Sequence, residues 1–109
     1  MELLNVNEKG KTNAIISYLT IIGTIVAIIL NNNQKNHFAS FHIRQMIGLH
    51  ILSVLNSWII ATYFNFFASM VISVLLLVLW FIGFMGAING EAKKIPIFGD
   101  QFQEWFKNV

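Results

Sequence analysis

From Gln45 to Gly90 the chain carries no Asp, Glu, Lys or Arg, and its long apolar stretches are interrupted only by small or uncharged polar residues. One helix over that run would measure about 69 Å at about 1.5 Å per residue, more than twice the ~30 Å hydrocarbon core of a bilayer. The run must therefore fold back once. Asn13 to Leu30 is a further uncharged apolar stretch. The pattern predicts an all-α membrane protein with three transmembrane helices, over about 13–30, 38–63 and 67–88, in one integral membrane domain spanning residues 1–109.

The polar positions set the boundaries. Residues 1–11 form a polar tail, and Thr12 or Asn13 is suited to cap the first helix. Asn31, Asn32 and Asn33 are expected to stop it, leaving 31–36 as a loop. The apolar run after Lys9 and Lys11 exceeds a signal-peptide core of about 7–15 residues and lacks a small-x-small cleavage pattern, so it is expected to be retained. The second helix, at roughly 39 Å, is longer than the hydrocarbon layer, which places His37, His42, Arg44 and Gln45 in the headgroup region. Asn65, flanked by Tyr63, Phe64, Phe66 and Phe67, is the turn former between spans two and three. Gly90 ends the third span. In the tail 91–109, Pro96 and Gly99 break the chain, and Asp100 with Gln103 forms a capping-box arrangement. Phe98, Phe102, Trp105 and Phe106 recur at helical spacing, which predicts a short C-terminal amphipathic helix lying in the membrane interface as an anchor or as a docking element for a partner.

Composition narrows the classes. Hydrophobic residues make up 56% of the 109 and charged residues 11%, against about a quarter charged in soluble domains, so lipid or other proteins must cover most sides. The net charge of +2 is too small and scattered for nucleic-acid binding. The absence of Cys excludes disulfides and thiolate chemistry. Lys9 and Lys11 precede the first span, whereas Lys35, Arg44, Lys93, Lys94 and Lys107 fall in the loop and the C-terminal tail. With three spans this puts five positive side chains on one side and two on the other, so the loop and C-terminus are expected to be cytoplasmic and the N-terminus outside.

The second helix holds a polar stripe: His42, Gln45, His50, Ser53, Asn56 and Ser57 fall within about 140° at about 100° per residue. Such a stripe is costly against lipid and should face protein or water. Three readings stand: interhelical hydrogen bonding, a hydrophilic cavity or translocation groove, and a proton relay at His50. Packing has its own signal, because Ser53, Ser57 and Ala61 form a small-residue ladder, as do Gly23 with Ala27 and Gly83 with Ala87. His42 and His50 lie about 12 Å apart along the axis, too far to share a metal ion, and no carboxylate lies in the spans to orient a Ser/His pair or complete a metal site. No cofactor, metal or enzymatic activity is expected. Arg44 is suited to an anion or headgroup contact, or to snorkelling.

Two stretches taken together resemble a known family. Phe41-His42-Ile43-Arg44-Gln45 opens the second helix, and Ala87-Ile88-Asn89-Gly90-Glu91 followed by Ile95-Pro96-Ile97-Phe98-Gly99 leaves the third. They are similar to the Phe-His-x-Arg-Gln and Gly-Glu…Pro-x-x-Gly segments of a family of small bacterial membrane proteins of unknown function, itself similar to the chloroplast Tic-twenty import component. The resemblance implies the bacterial inner (cytoplasmic) membrane as location and His42, Arg44, Gln45, Gly90, Pro96 and Gly99 as a motif surface. It also suggests a link to protein translocation. The chloroplast relatives have four spans and this chain reads as three, so a pore does not carry over. Arg44 and Gln45 are expected to clamp the returning tail, with Glu91 or a headgroup phosphate as the partner of Arg44. The resulting expectation is a non-enzymatic accessory or structural subunit of a larger membrane assembly. The alternative is a homo-oligomeric channel or carrier lined by the stripe. The partners expected are the lipid bilayer and other membrane proteins or further copies of the chain.

Overall fold

A computed structural model describes residues 8–109, so Glu2 and the rest of the tail before Glu8 lie outside the described residues. Within them every regular element is helical: α1 (Glu8–Ser17), α2 (Ile21–Gln34), α3 (His37–Leu55), which widens without a break into a π-helical segment (Asn56–Phe64), α4 (Phe66–Ile88) and α5 (Gly99–Trp105). The frame is the long hairpin of α3 with its π-helical extension and α4. Its two arms, His37–Phe64 and Phe66–Ile88, are the helices long and apolar enough to cross a bilayer. Only 17% of each apolar window is buried, which sets them apart from the core helices of a soluble protein. Val54, Trp58, Val74, Leu75 and Leu77 are among the side chains left outside. Asn65 alone separates the arms, and its Oδ1 accepts from the Phe67 and Ala68 N–H groups at 2.7 and 3.2 Å to cap α4.

The stretch 13–30 is not one helix, which corrects the expectation of an uninterrupted first span. The chain leaves α1 after Ser17 and turns through Tyr18 and Leu19, and Thr20 caps α2 by accepting from Gly23 N–H at 3.0 Å. The two short helices then run back along each other. Asn13 Nδ2 donates to the Ala27 carbonyl at 3.4 Å, and Thr24 Oγ1 donates to that of Ser17 at 2.7 Å. Gly23 makes this possible, since a Cβ there would collide with the Ile16 carbonyl. A hairpin inside an apolar stretch needs its freed backbone groups satisfied. The Tyr18 carbonyl at the tip accepts from Trp80 Nε1 at 2.8 Å.

As a result the start of α1 sits beside the start of α3, with Gly10 packed directly on the Asn36 side chain. The triple Asn does not stop α2, which continues to Gln34. Asn31 is instead buried and organises the turn: its Oδ1 accepts from Asn36 N–H at 2.8 Å and its Nδ2 donates to Ser40 Oγ at 2.7 Å. Lys35 takes the left-handed conformation (φ 52°) and Asn36 caps α3.

Packing concentrates at the end of the bundle that carries the charges. Ala14 and Tyr18 of the first hairpin, Phe38, Met46 and Leu49 of α3, Leu79 and Ala87 of α4, and Ile95 and Phe102 of the tail form the main core. Ala27, Ala39 and Ile43 form a second cluster between α2 and α3. The small-residue ladders of α2 and α4 are consumed here: Ala27 and Ala87 are fully buried, and Gly83 admits the Tyr18 ring. Beyond the tip of the first hairpin the two long arms continue with no third helix among the described residues against them.

Candidate functional site

Two polar constellations merit attention, and both lie on α3. The first is a junction that ties the C-terminal tail to the bundle. α4 ends in a Schellman arrangement in which Glu91 N–H reaches the Gly86 carbonyl at 2.8 Å and Gly90 N–H reaches that of Ala87 at 3.3 Å. Gly90 sits at φ 73°, a conformation that glycine adopts without steric cost. The turn delivers Glu91 to His42, whose Nε2 lies 2.9 Å from the Glu91 carbonyl. A carbonyl only accepts, so Nε2 carries a proton, and in that tautomer Nδ1 accepts from Tyr18 Oη at 2.6 Å. The Tyr18 oxygen in turn accepts from Gln45 Nε2 at 2.9 Å, and Gln45 Oε1 accepts from Ile95 N–H at 2.8 Å. His42, Gln45 and Tyr18 are all buried to within 1% of full burial. One continuous network thus joins the tip of the first hairpin, α3 and the tail.

Arg44 performs the same task one turn away on the surface. Its Nε donates to the Phe106 carbonyl at 3.2 Å, Nη1 to Gln103 Oε1 at 3.3 Å, and Nη2 to the Lys107 carbonyl at 2.9 Å and to an oxygen of Val109, the last residue of the sequence, at 3.4 Å. The Lys107 carbonyl is one of those that a helix end leaves exposed, while the Phe106 carbonyl also accepts from Val109 N–H at 3.0 Å. Gln103 completes the link by donating to the Phe41 carbonyl at 2.8 Å. The expected pairing of Arg44 with the Glu91 carboxylate is not found among the described contacts: Glu91 meets His42 through its backbone, and the α5 terminus is the partner of Arg44.

The aromatic residues of the tail divide as well. Phe102 is buried against Gly48, where a Cβ would strike its ring. Phe98 stacks on Phe102 at 5.8 Å and Phe106 is half-buried, while Trp105 is exposed. An interfacial anchor using all four is therefore corrected: Phe102 is a core residue, and α5 is fastened to α3 by it and by Arg44. Pro96 is exposed, and Gly99 opens α5 packed on Lys94. Ile97 adopts φ 72°, unusual for a β-branched residue, in a tight turn closed by Phe98 N–H to the Pro96 carbonyl at 2.8 Å.

The second constellation is the remainder of the stripe, and it is not satisfied in the same way. His50 Nε2 pairs with Thr24 Oγ1 at 2.8 Å beside the hairpin tip. Asn56 Nδ2 donates across to α4, to the Ser69 carbonyl at 3.2 Å and Ser73 Oγ at 2.9 Å. Its Oδ1 is buried and has no donor among the described residues. Ser53 and Ser57 face outward. With Thr20, Ser73, Leu76 and Trp80 these residues line an open cleft of about 360 Å³ just past the first hairpin. Asn56 is also where the α-helix changes to π-helical winding, a distortion often associated with functional positions. The sequence reading placed these six residues on one stripe; the structure separates them into a closed junction (His42, Gln45) and an open seam (His50, Ser53, Asn56, Ser57). It missed Tyr18, Thr24 and Ser73, which are ordinary polar residues in apolar runs. Among the described residues no group of three His, Asp or Glu is placed to hold a metal ion.

Over 84 residues, 73% of this chain, the sequence is 29% identical to the UPF0132 membrane protein of Methanocaldococcus jannaschii. The chain spans about three fifths of that relative's length (59%). No family model matches the chain, and no solved structure matches it. The likeness and the two exposed apolar helices support a helical membrane protein of unknown function. The similarity to the chloroplast import component is not among these findings.

Proposed function

We propose that this chain is a non-enzymatic membrane subunit that packs against another membrane protein through the open seam of α3. The observation that carries this reading is Asn56 Oδ1, a buried acceptor with no donor among the described residues. At membrane depth an unsatisfied polar group costs several kcal/mol, and a donor from a neighbouring segment removes that cost. The ladders support the same reading. Those of α2 and α4 are filled from within the chain, whereas Ser53 and Ser57 of the third ladder remain uncovered. Small residues at four-residue spacing let another helix approach closely.

The test is extraction from native membranes in mild detergent, comparing the natural sequence with a Ser53→Leu/Ser57→Leu variant. Both sites are outside the core, so the fold should survive while a co-purifying protein is lost. A lone monomer from the natural sequence would sink the proposal. A role beside a protein-translocating assembly is the extension that the family resemblance suggests, and the identity of the co-purifying protein decides it. The cleft's polar lining favours a second reading, a homo-oligomeric channel or carrier. In that case Ser57→Cys should cross-link to twice the chain mass, and Asn56→Leu should alter solute flux in liposomes.

A topology belongs to this proposal. Because α1 and α2 form a hairpin, we place two full spans and one re-entrant hairpin in the membrane, with all seven Lys and Arg side chains at one end. The positive-inside bias makes that end cytoplasmic. This replaces the N-outside arrangement. The chain has no Cys of its own, so single cysteines at Thr12, Asn32 and Asn108 should all react from one side and a cysteine at Asn65 from the other. Opposite labelling of Thr12 and Asn32 refutes the re-entrant hairpin.

A further inference from the structure

At the charged end a cleft of about 470 Å³ opens between α2, the start of α3 and the residues after α5. Its wall carries Lys35, His37, Arg44 and Lys107, and no Asp or Glu side chain lines it. These four side chains come from three separate parts of the chain, and local geometry fixes the backbone of Lys35 and the guanidinium of Arg44. Lys35 is set by its left-handed cap, with its N–H on the Asn31 carbonyl at 2.7 Å. The guanidinium of Arg44 is immobilised by the α5 terminus: it meets the uncharged oxygens of Phe106, Gln103 and Lys107 and, at a longer 3.4 Å, an oxygen of Val109, the last residue of the sequence.

The competing anions are weak. Among the described residues Lys35 makes no ion pair. Lys107 pairs with Glu104 at 3.0 Å, but both side chains are well exposed, and such a pair is worth only ~0–1 kcal/mol. The floor of the cleft is different in kind. Ile28 and Ile43 line it, and Ile25, Ile28 and Asn32 share one ridge of α2 at helical spacing. Ile25 on that ridge and Ile29 beside it are more than half exposed. The surface therefore offers a basic head position that continues into an apolar track running toward the hairpin tip. In a membrane protein this end lies at the headgroup level, where a basic pocket between helices takes acidic headgroups.

We propose that this cleft binds the phosphodiester headgroup of an anionic membrane lipid, its acyl chains lying along Ile25 and Ile29 of α2. Lys35 and Lys107 supply mobile ammonium donors, His37 a third donor, and Arg44 a fixed positive charge. This proposal rests on membrane location alone and stands apart from the partner reading of the seam.

The test uses the purified full chain in a neutral detergent, titrated with dioleoyl-phosphatidylglycerol, with dioleoyl-phosphatidylcholine, and with inorganic phosphate. Retained lipid is read by native mass spectrometry and stability by thermal shift. Phosphatidylglycerol should be retained at one site and raise the melting temperature, while phosphatidylcholine should not. Lys35→Gln with Lys107→Gln should weaken binding by about thirtyfold, from two lysines near an anionic headgroup. Lys93→Gln with Lys94→Gln removes the same charge outside the cleft and should leave retention unchanged. A response to inorganic phosphate equal to that of the lipid would reassign the site to a free anion and overturn the lipid. Equal retention of the two lipids, or equal losses from the two double variants, would overturn the site itself and leave only diffuse surface attraction.

Discussion

Gln45 is the residue on which the junction can be tested most directly. Its side chain is fully buried and makes two hydrogen bonds, donating to Tyr18 Oη at 2.9 Å and accepting from Ile95 N–H at 2.8 Å. Gln45→Leu keeps the volume and removes both. The Tyr18 hydroxyl retains His42 as an acceptor, so the damage falls mainly on Ile95, a 2% exposed residue whose N–H loses its partner. A buried orphan donor costs ~1–3 kcal/mol, and side-chain hydrogen bonds in membrane proteins average ~0.6 kcal/mol. With the added apolar contact of Leu offsetting part of this, a net loss of about 2 kcal/mol is expected. The assay is reversible unfolding of the purified chain in detergent, together with limited trypsin digestion at Lys93 and Lys94. These lysines flank the released segment, so cleavage should accelerate in Gln45→Leu while cleavage at Lys35 stays constant. Stability within about 0.5 kcal/mol of the natural sequence and unchanged cleavage would refute the reasoning, because the tail would then be held by something other than this bond.

Gly48→Ala should cost about 1–3 kcal/mol by overpacking, since the new Cβ meets the Phe102 ring, and faster trypsin cleavage at Lys107 would report the displaced α5. Arg44→Lys should fail to restore the stability lost in Arg44→Ala, because a single ammonium cannot reach the Phe106, Gln103 and Lys107 oxygens at once; equal melting temperatures for Arg44→Lys and the natural sequence would contradict this. Asn65→Ala removes the cap of α4 and should lower stability by about 1 kcal/mol, measured by the same unfolding assay.

The division between the two polar constellations follows from how each polar group is satisfied. At the junction every donor meets an acceptor from a distant part of the chain, which closes it to solvent and makes it structural. At the seam Asn56 is half satisfied and Ser53 and Ser57 are uncovered, which makes it the place where the chain has bonding capacity to offer. The stripe seen along α3 was thus a correct observation about direction. It joined two regions with different roles, because helical phase says which residues share a face and nothing about what covers that face at each depth.

The sequence by itself determined the solvent and the long hairpin. A charge-free run from Gln45 to Gly90 is far longer than one bilayer crossing, and the transfer of apolar side chains is additive and local, so composition suffices. Asn65 and Gly90 were legible for the same reason, since capping and positive φ act within a few residues. The tertiary structure decided whether 13–30 is one helix or two. The hairpin is held by a few hydrogen bonds of ~1 kcal/mol each, from Thr24 to Ser17, Asn13 to Ala27 and Trp80 to Tyr18. Thr20 followed by Gly23 was the local hint, a capping residue and a close-approach residue inside an apolar run. The location of Phe102 and the partners of Arg44 and His42 had no such hint, because they depend on residues some fifty to sixty positions apart that meet only once the hairpins have packed.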